Sequence, residues 1–92
     1  MARLNDDEIR EGLPDGWARE GDAIRREYDF DGFPAAVRFV NRVADAAEAA
    51  NHHPDIDIRY NRVALTLSTH SEGGITEKDL ALASEADRLA AD

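Results

Sequence analysis

The chain has 92 residues, a formal net charge of −9 and no cysteine. This length fits one domain with a single modest hydrophobic core. The lack of thiols excludes thiol nucleophiles, disulfides and thiolate metal sites, and the negative charge argues against general binding to nucleic acids or anionic lipids. No segment has the ~20 apolar residues of a membrane span, and the start lacks the apolar run of a signal peptide, so we expect a cytoplasmic protein.

The charged residues are mainly arginine, aspartate and glutamate, and Lys78 is the only lysine. We interpret this acidic composition as that of a protein from a salt-loving organism, which stays soluble at high salt through a carboxylate-rich surface. A GC-rich genome, which favours Asp, Ala and Arg codons, is the alternative explanation.

A short helix and a β-hairpin are predicted at the start of the chain. Asn5 can cap the helix, and Gly12–Gly16 ends it. Residues 17–30 have the pattern of a hairpin, because Gly21-Asp22 is a turn sequence. The apolar residues that follow the turn keep one parity: Ile24, Tyr28 and Phe30. Arg26 breaks this alternation.

The longest predicted element is a helix from Phe33-Pro34 to about Asn51. Proline in the first turn of a helix loses no needed hydrogen bond. Apolar residues at helical spacing predict its buried face: Phe33, Val37, Val40, Val43, Ala44 and Ala47. Pro54 forces the helix to stop, so that His52 lies at the helix end and His53 is extended.

A second hairpin and a last helix complete the predicted fold. Ile56, Ile58 and Tyr60 alternate, as do Val63, Leu65 and Leu67, with Tyr60-Asn61-Arg62 as the connection, and Tyr60 is expected to pack in the core of the sheet. Thr76-Glu77-Lys78-Asp79 resembles a capping box that begins the last helix. The order α-β-β-α-β-β-α predicts an α+β fold with a four-stranded antiparallel sheet and helices packed on one face, as one domain over residues 1–92.

The three histidines of the chain, His52, His53 and His70, are the residues that most suggest chemistry. Imidazole has an unperturbed pKa of about 6.5, so it can donate or accept a proton near neutral pH. Glu48 lies four residues before His52 on the same helix face, where its carboxylate could orient that ring. The strand that ends at His70 is expected to return to this helix end, which predicts a shared pocket for acid and base catalysis.

The spacing of these residues resembles the signature of the pterin-4a-carbinolamine dehydratases: Glu48, His52-His53-Pro54, Tyr60, His70 and Asp79. Flanking segments such as Phe30–Phe33 and Leu67-Ser-Thr-His70 also agree with that family. The resemblance implies an antiparallel four-stranded sheet with helices on one side. It also implies dehydration of a 4a-hydroxytetrahydropterin, as in tetrahydrobiopterin recycling, to a quinonoid dihydropterin, with no metal or organic cofactor.

The resemblance further implies roles for individual residues. His52 and His70 would be the acid-base pair, and His53 would bind the pterin ring or share the proton transfer. Glu48 would orient a histidine. Asp79 would tune or position His70, although the last helix could also need it only as a cap.

Three more residues would support the site by the same resemblance. Trp17 would pack at the edge of the pocket, unless it is simply a core aromatic. Pro54 follows the histidine pair. Asn51 stands where several family members carry aspartate, which weakens any argument for a negative charge beside His52.

Other functions stay open at this point. Three histidines and a carboxylate could hold zinc or iron, although adjacent histidines seldom reach one ion. The chain could also be a non-catalytic pterin-binding module or a dimerisation cofactor for another protein. We expect a small-molecule pterin as the partner, and a homodimer or homotetramer with an edge strand and the residues Phe39, Val43 and Leu82 as candidate contacts.

Overall fold

The computed structural model describes residues 2–91. Its elements are α1 (Asp6–Gly12), β1 (Ala18–Glu20), β2 (Ala23–Asp29), α2 (Phe33–Ala50), β3 (Asp55–Arg59), β4 (Arg62–Leu67) and α3 (Glu77–Ala90). A short 3₁₀ turn, His70–Glu72, lies between β4 and α3. This order confirms the prediction. Within residues 2–91 no helix combines the length and the apolar character needed to cross a bilayer.

The four strands form one antiparallel sheet in the order β1-β2-β4-β3. β1 and β3 are therefore its edges. In the β3–β4 pair Asp55 lies opposite Thr66, and Arg59 lies opposite Arg62. This register brings the chain just before β3, which carries His53, beside the chain just after β4, which leads to His70.

The core lies between the sheet and the two long helices, and α2 faces it with Ala36, Phe39, Val43 and Ala47. The predicted face was right for Val43 and Ala47 but wrong for Phe33, which is 51% exposed, and for Ala44, which is also exposed. α2 has two stripes of apolar side chains along its surface. The stripe that contains Phe39 is the buried one, because Phe39 packs against two other aromatic rings. The Phe39 ring lies 4.8 Å from the Tyr28 ring and 5.0 Å from the Phe30 ring.

The observed burial corrects two predictions. One concerns the residues that contact another subunit, and the other concerns Tyr60. Phe39 and Val43 are 0% exposed and Leu82 is 5% exposed, so the core of a single chain already buries the residues proposed as contacts between subunits. Tyr60 was expected in the core, yet it is 71% exposed. The reason is that Tyr60 occupies the two-residue turn between β3 and β4 with a left-handed backbone, φ 53°.

The break in alternation at Arg26 has a structural cause, which is the carboxylate of Asp87 on α3. Arg26 Nη1 donates to Asp87 Oδ1 at 3.0 Å. The same oxygen accepts from Trp17 Nε1 at 3.0 Å and from the Tyr28 hydroxyl at 2.5 Å. Burial, together with this hydrogen bond, raises the pKa of Tyr28. The cluster attaches the first hairpin to the C-terminal part of α3.

Candidate active site

The end of α2 determines where the two adjacent histidines point. Asn51 adopts the left-handed conformation with φ 51°. Its N–H donates to the Glu48 carbonyl at 3.2 Å, and the His52 N–H donates to the Ala47 carbonyl at 3.0 Å. This is a Schellman motif, in which asparagine tolerates the left-handed position better than most residues. The motif ends the helix and turns the His52 ring inward, and Pro54 then leads the chain into β3.

His52 is held by a buried carboxylate. Its Nε2 lies 2.6 Å from Asp79 Oδ1, and the two side chains are 10% and 0% exposed. Because a carboxylate only accepts hydrogen bonds, this nitrogen carries the proton. The hydrogen bond therefore fixes both the orientation and the tautomer of the His52 ring.

The other oxygen of Asp79 completes a network with two threonines. Asp79 Oδ2 accepts from Thr69 Oγ1 at 2.8 Å and from the Thr76 N–H at 2.9 Å. Thr76 Oγ1 accepts from the Lys78 N–H at 3.2 Å and lies 2.8 Å from Thr69 Oγ1. Since Thr69 donates to Asp79, Thr76 donates to Thr69. Every polar group of this buried network thus has a partner, as burial requires.

Asp79 therefore connects three parts of the chain that meet at one end of the sheet. These are the end of α2, the segment after β4 and the start of α3. The predicted capping box of α3 is confirmed, with Thr76 as cap and Asp79 at the third helical position. That Asp79 tunes or positions His70 stays a prediction: its carboxylate bonds to His52 and to Thr69, the residue before His70.

Glu48 orients a histidine, but a different one from that predicted by helical spacing. Glu48 Oε1 lies 2.6 Å from His53 Nε2, and the two side chains are 79% and 59% exposed. The spacing argument fails because α2 ends at Ala50 and the left-handed turn at Asn51 redirects the chain. As a result His52 points into the protein, and His53 lies beside the last turn of α2.

His70 begins the 3₁₀ turn after β4, and it is exposed. It lines a cavity of about 300 Å³ together with Asp22, Asp55 and Ser68, among others. The Ser68 hydroxyl donates to the Asp22 carbonyl at 2.7 Å, which ties the segment before His70 to the turn of the first hairpin. Two carboxylates thus give the surroundings of His70 an acidic character.

The three histidines are brought to one end of the fold, where His52 and His70 line different cavities. His52 lines a separate groove of about 430 Å³ between α2 and α3, with Lys78, Glu85 and small apolar residues. The pairing of His52 with His70 as acid and base stays a prediction, and in this structure the two residues line different cavities. His53 and His70 are the two exposed imidazoles, and the paired residues Asp55 and Thr66 join their segments.

The remaining predicted residues take other places. Trp17 is 5% exposed and donates to Asp87. Asp87 lies eight residues after Asp79 on α3, or about 12 Å along the helix, so Trp17 is a core aromatic away from the histidines.

Sequence reasoning missed Thr69 as a member of the site, although it lies inside the Leu67–His70 segment that agreed with the family. Within residues 2–91, no group of three or more His, Asp or Glu side chains is arranged to hold a metal ion.

Comparisons with known proteins show the family and the fold of this chain. The family model described as "Pterin 4 alpha carbinolamine dehydratase" matches residues 2–89. A relative from Thermomicrobium roseum named "Putative pterin-4-alpha-carbinolamine dehydratase" is 58% identical over 92 residues, with 98% of this chain and 99% of the relative covered. A relative of the same name from Mycobacteroides abscessus is 57% identical over 90 residues, with 95% of each chain covered.

Two solved structures share the fold. The transcriptional coactivator/pterin dehydratase from Brucella melitensis has a TM-score of 0.91 and 40% identity, with 96% of this chain and 98% of that chain covered. A pterin dehydratase-like protein described as a RuBisCO assembly factor in the alpha-carboxysome has a TM-score of 0.70 and 24% identity, with 82% and 89% covered. The second likeness concerns the fold alone.

Proposed function

We propose that this chain, which belongs to the pterin 4 alpha carbinolamine dehydratase family, dehydrates a 4a-hydroxytetrahydropterin to a quinonoid dihydropterin. In this reaction the C4a–O bond breaks, the hydroxyl leaves as water after it gains a proton, and N5 loses its proton as the C4a–N5 double bond forms. The observation that carries the proposal is the pair of exposed imidazoles, His53 and His70, on segments that the buried Asp79 network connects.

The geometry supports a division of work among the histidines. The His52 side chain is 10% exposed and bonds to a fully buried carboxylate, whereas the His53 side chain is 59% exposed, so we assign His52 to positioning and not to the proton-transfer pair. His53 donates from Nε2 to Glu48, which leaves Nδ1 as the nitrogen that can exchange a proton with the substrate. His70 is exposed and can take the complementary role. One ring protonates the leaving hydroxyl and the other accepts the N5 proton, a task suited to imidazole, which can donate a proton from one ring nitrogen and accept one at the other.

Dehydration of 4a-hydroxytetrahydropterin generated in situ tests the proposal. The wild type is expected to exceed the spontaneous rate, and the double variant His53→Ala/His70→Ala is expected to fall to it. Arg10→Ala, a change on the exposed surface of α1, is the matched control and should keep the wild-type rate. Because we propose a reaction without metal or organic cofactor, a chelator should leave the rate unchanged. A wild-type rate equal to the spontaneous one would refute the dehydratase.

A non-catalytic role in binding another protein is the second candidate. The groove between α2 and α3 supports it, because Ala46, Ala49 and Ala50 of α2 and Ala81 of α3 give its wall a small apolar surface. Under this role the chain would not accelerate dehydration. A non-catalytic pterin-binding module would not accelerate it either, but it would bind a pterin by calorimetry. The dehydration rate therefore separates the enzyme from both roles, and the binding measurement separates the pterin-binding module from a protein that binds only another protein.

We also propose that the protein is a homodimer or homotetramer. β3 is an edge strand, and Ile56 and Ile58 on it are 37% and 38% exposed although they point to the same face as the buried Val63 and Leu65. An edge strand with exposed apolar side chains favours pairing with another chain. A monomeric mass by light scattering at micromolar concentration and high salt would rule this out.

The cytoplasmic location stays a prediction from the sequence.

A further inference from the structure

The segment before α1 packs against the loop that follows His70. The Leu4 N–H donates to the Ile75 carbonyl at 2.8 Å, and Arg3 Nη1 donates to the Gly73 carbonyl at 3.3 Å. Residues 2–4 belong to no helix or strand. Their contacts with residues 73–75 thus join two distant parts of the sequence next to the proposed site.

The side chain of Arg3 lies directly over Gly74. A Cβ placed on Gly74 would be 2.5 Å from Arg3 Cδ and 3.1 Å from Arg3 Cγ, so any larger residue would displace the arginine. Gly74 is buried and pairs with Thr69: the Thr69 N–H donates to the Gly74 carbonyl at 2.9 Å, and the Gly74 N–H donates to the Thr69 carbonyl at 3.3 Å. Contacts therefore run from Arg3 through Gly74 to Thr69, the residue before His70.

The position of His70 depends on this backbone. Among residues 2–91 the His70 ring has no hydrogen-bond or ion-pair partner, in contrast to His52 and His53. The loop itself is closed by local bonds, from the Glu72 N–H to the Thr69 carbonyl at 3.0 Å and from the Gly73 N–H to the His70 carbonyl at 3.1 Å. Thr69 fixes the inner side of the loop through Asp79, and Arg3 lies on its outer side.

From these contacts we infer that Arg3 is a positioning residue for His70. Its aliphatic part covers Gly74 and its guanidinium holds the Gly73 carbonyl, so that the 3₁₀ turn keeps the His70 ring at the proton-transfer distance. The inference rests on the proposed function, in which His70 transfers a proton. A displacement of about 1 Å at a reacting group can cost on the order of 100-fold in rate, so a small shift of this loop has a measurable effect.

A double-mutant cycle between Arg3 and Gly74 tests the inference. Arg3→Ala and Gly74→Ala should each lower kcat on the order of tenfold, with KM changed less than about twofold, because they misplace a proton-transfer group and not the bound ring. The double variant should lose no more than either single variant, since both act through one contact. Arg3→Lys should recover most of the rate because it keeps an aliphatic stem and an N–H donor. Arg10→Ala is again the control.

Three results would overturn the inference: an unchanged kcat in Arg3→Ala, an equal loss in Arg10→Ala, or losses that multiply in the double variant. A readout that does not need catalysis separates this inference from the proposed function. In NMR spectra the imidazole signals of His70 should shift in Arg3→Ala while those of His52 stay in place. If the wild type shows no dehydratase rate, the proposed function fails, and this spectrum still decides whether Arg3 positions His70.

Discussion

His52 Nε2 donates to Asp79 Oδ1 over 2.6 Å, at a carboxylate whose side chain has no exposed surface. A buried carboxylate is tolerated only when donors surround it, and here His52, Thr69 and the Thr76 backbone supply them. The same group therefore caps α3, holds the end of α2 and fixes the residue before His70. Stability and site geometry depend on one side chain.

Asp79→Asn should destabilise the protein by about 2 kcal/mol. One of its two acceptors becomes an amide NH₂ group, which then faces donors that were satisfied before, and a buried unsatisfied group costs about 1–3 kcal/mol. Denaturant unfolding measures the change. Glu77→Gln, an exposed substitution in the same turn of α3, should stay within about 0.5 kcal/mol of the wild type. Equal effects of the two variants would contradict the role assigned to Asp79.

Asn51 should tolerate glycine but not alanine. Its φ of 51° is left-handed, a conformation that costs most L-residues about 1–2 kcal/mol and glycine almost nothing. Asn51→Gly should therefore keep the stability within about 0.5 kcal/mol, and Asn51→Ala should lose about 1 kcal/mol. Thermal unfolding of both variants checks this. If alanine is as well tolerated as glycine, the left-handed turn does not determine the end of α2.

Stability should fall at alkaline pH because of Tyr28. Burial and the bond to Asp87 raise its pKa in the folded state, so the folded protein holds the phenol proton more tightly than the unfolded chain, whose tyrosine pKa is about 10. The stabilisation that this difference in pKa contributes is fully present below pH 10. As the pH rises above 10 toward the folded-state pKa, this stabilisation falls by about 1.4 kcal/mol per pH unit. Tyr28→Phe should lack this dependence.

Tyrosine absorbance gives a second test of the same prediction. The chain has two tyrosines, so Tyr60→Phe leaves Tyr28 as the only one. The near-ultraviolet signal of phenolate should then appear only when the protein unfolds, as judged by circular dichroism on the same sample. Phenolate that forms at pH 10 in the folded protein would show that Tyr28 is not protected.

The acidic composition predicts that salt stabilises the protein. With a formal net charge of −9, repulsion among surface carboxylates opposes the compact state, and salt screens it. The unfolding midpoint should rise between low and molar potassium chloride. A midpoint that stays constant or falls would count against adaptation to high salt and favour the explanation from genome composition.

Local patterns in the sequence predicted the elements well, because caps and turns depend on residues close along the chain. Asn5 caps α1 as predicted, and the predicted capping box of Thr76 with Asp79 forms at α3. The buried face of α2 was harder to predict, since two apolar stripes compete and only the aromatic partners Tyr28 and Phe30 favour the one with Phe39.

The candidate site depended on contacts that spacing could not supply. Glu48 and His52 have ideal helical spacing. The left-handed backbone at Asn51 redirects the chain, however, so that Glu48 contacts His53 instead. Asp79 and His52 are 27 residues apart, and their bond arises only when α3 packs on α2. The sequence therefore identified the histidines and the two carboxylates but not Thr69, and the tertiary structure decided which of these residues touch.

The same substitution at each of the three histidines tests the division of roles most directly. Glutamine can place an N–H where Nε2 of His52 donates to Asp79, but it cannot transfer a proton. His52→Gln should therefore keep the dehydration rate within about tenfold of the wild type, while His53→Gln and His70→Gln should each lose on the order of 10²–10⁴-fold. A loss in His52→Gln as large as in the other two would contradict the assignment of His52 to positioning.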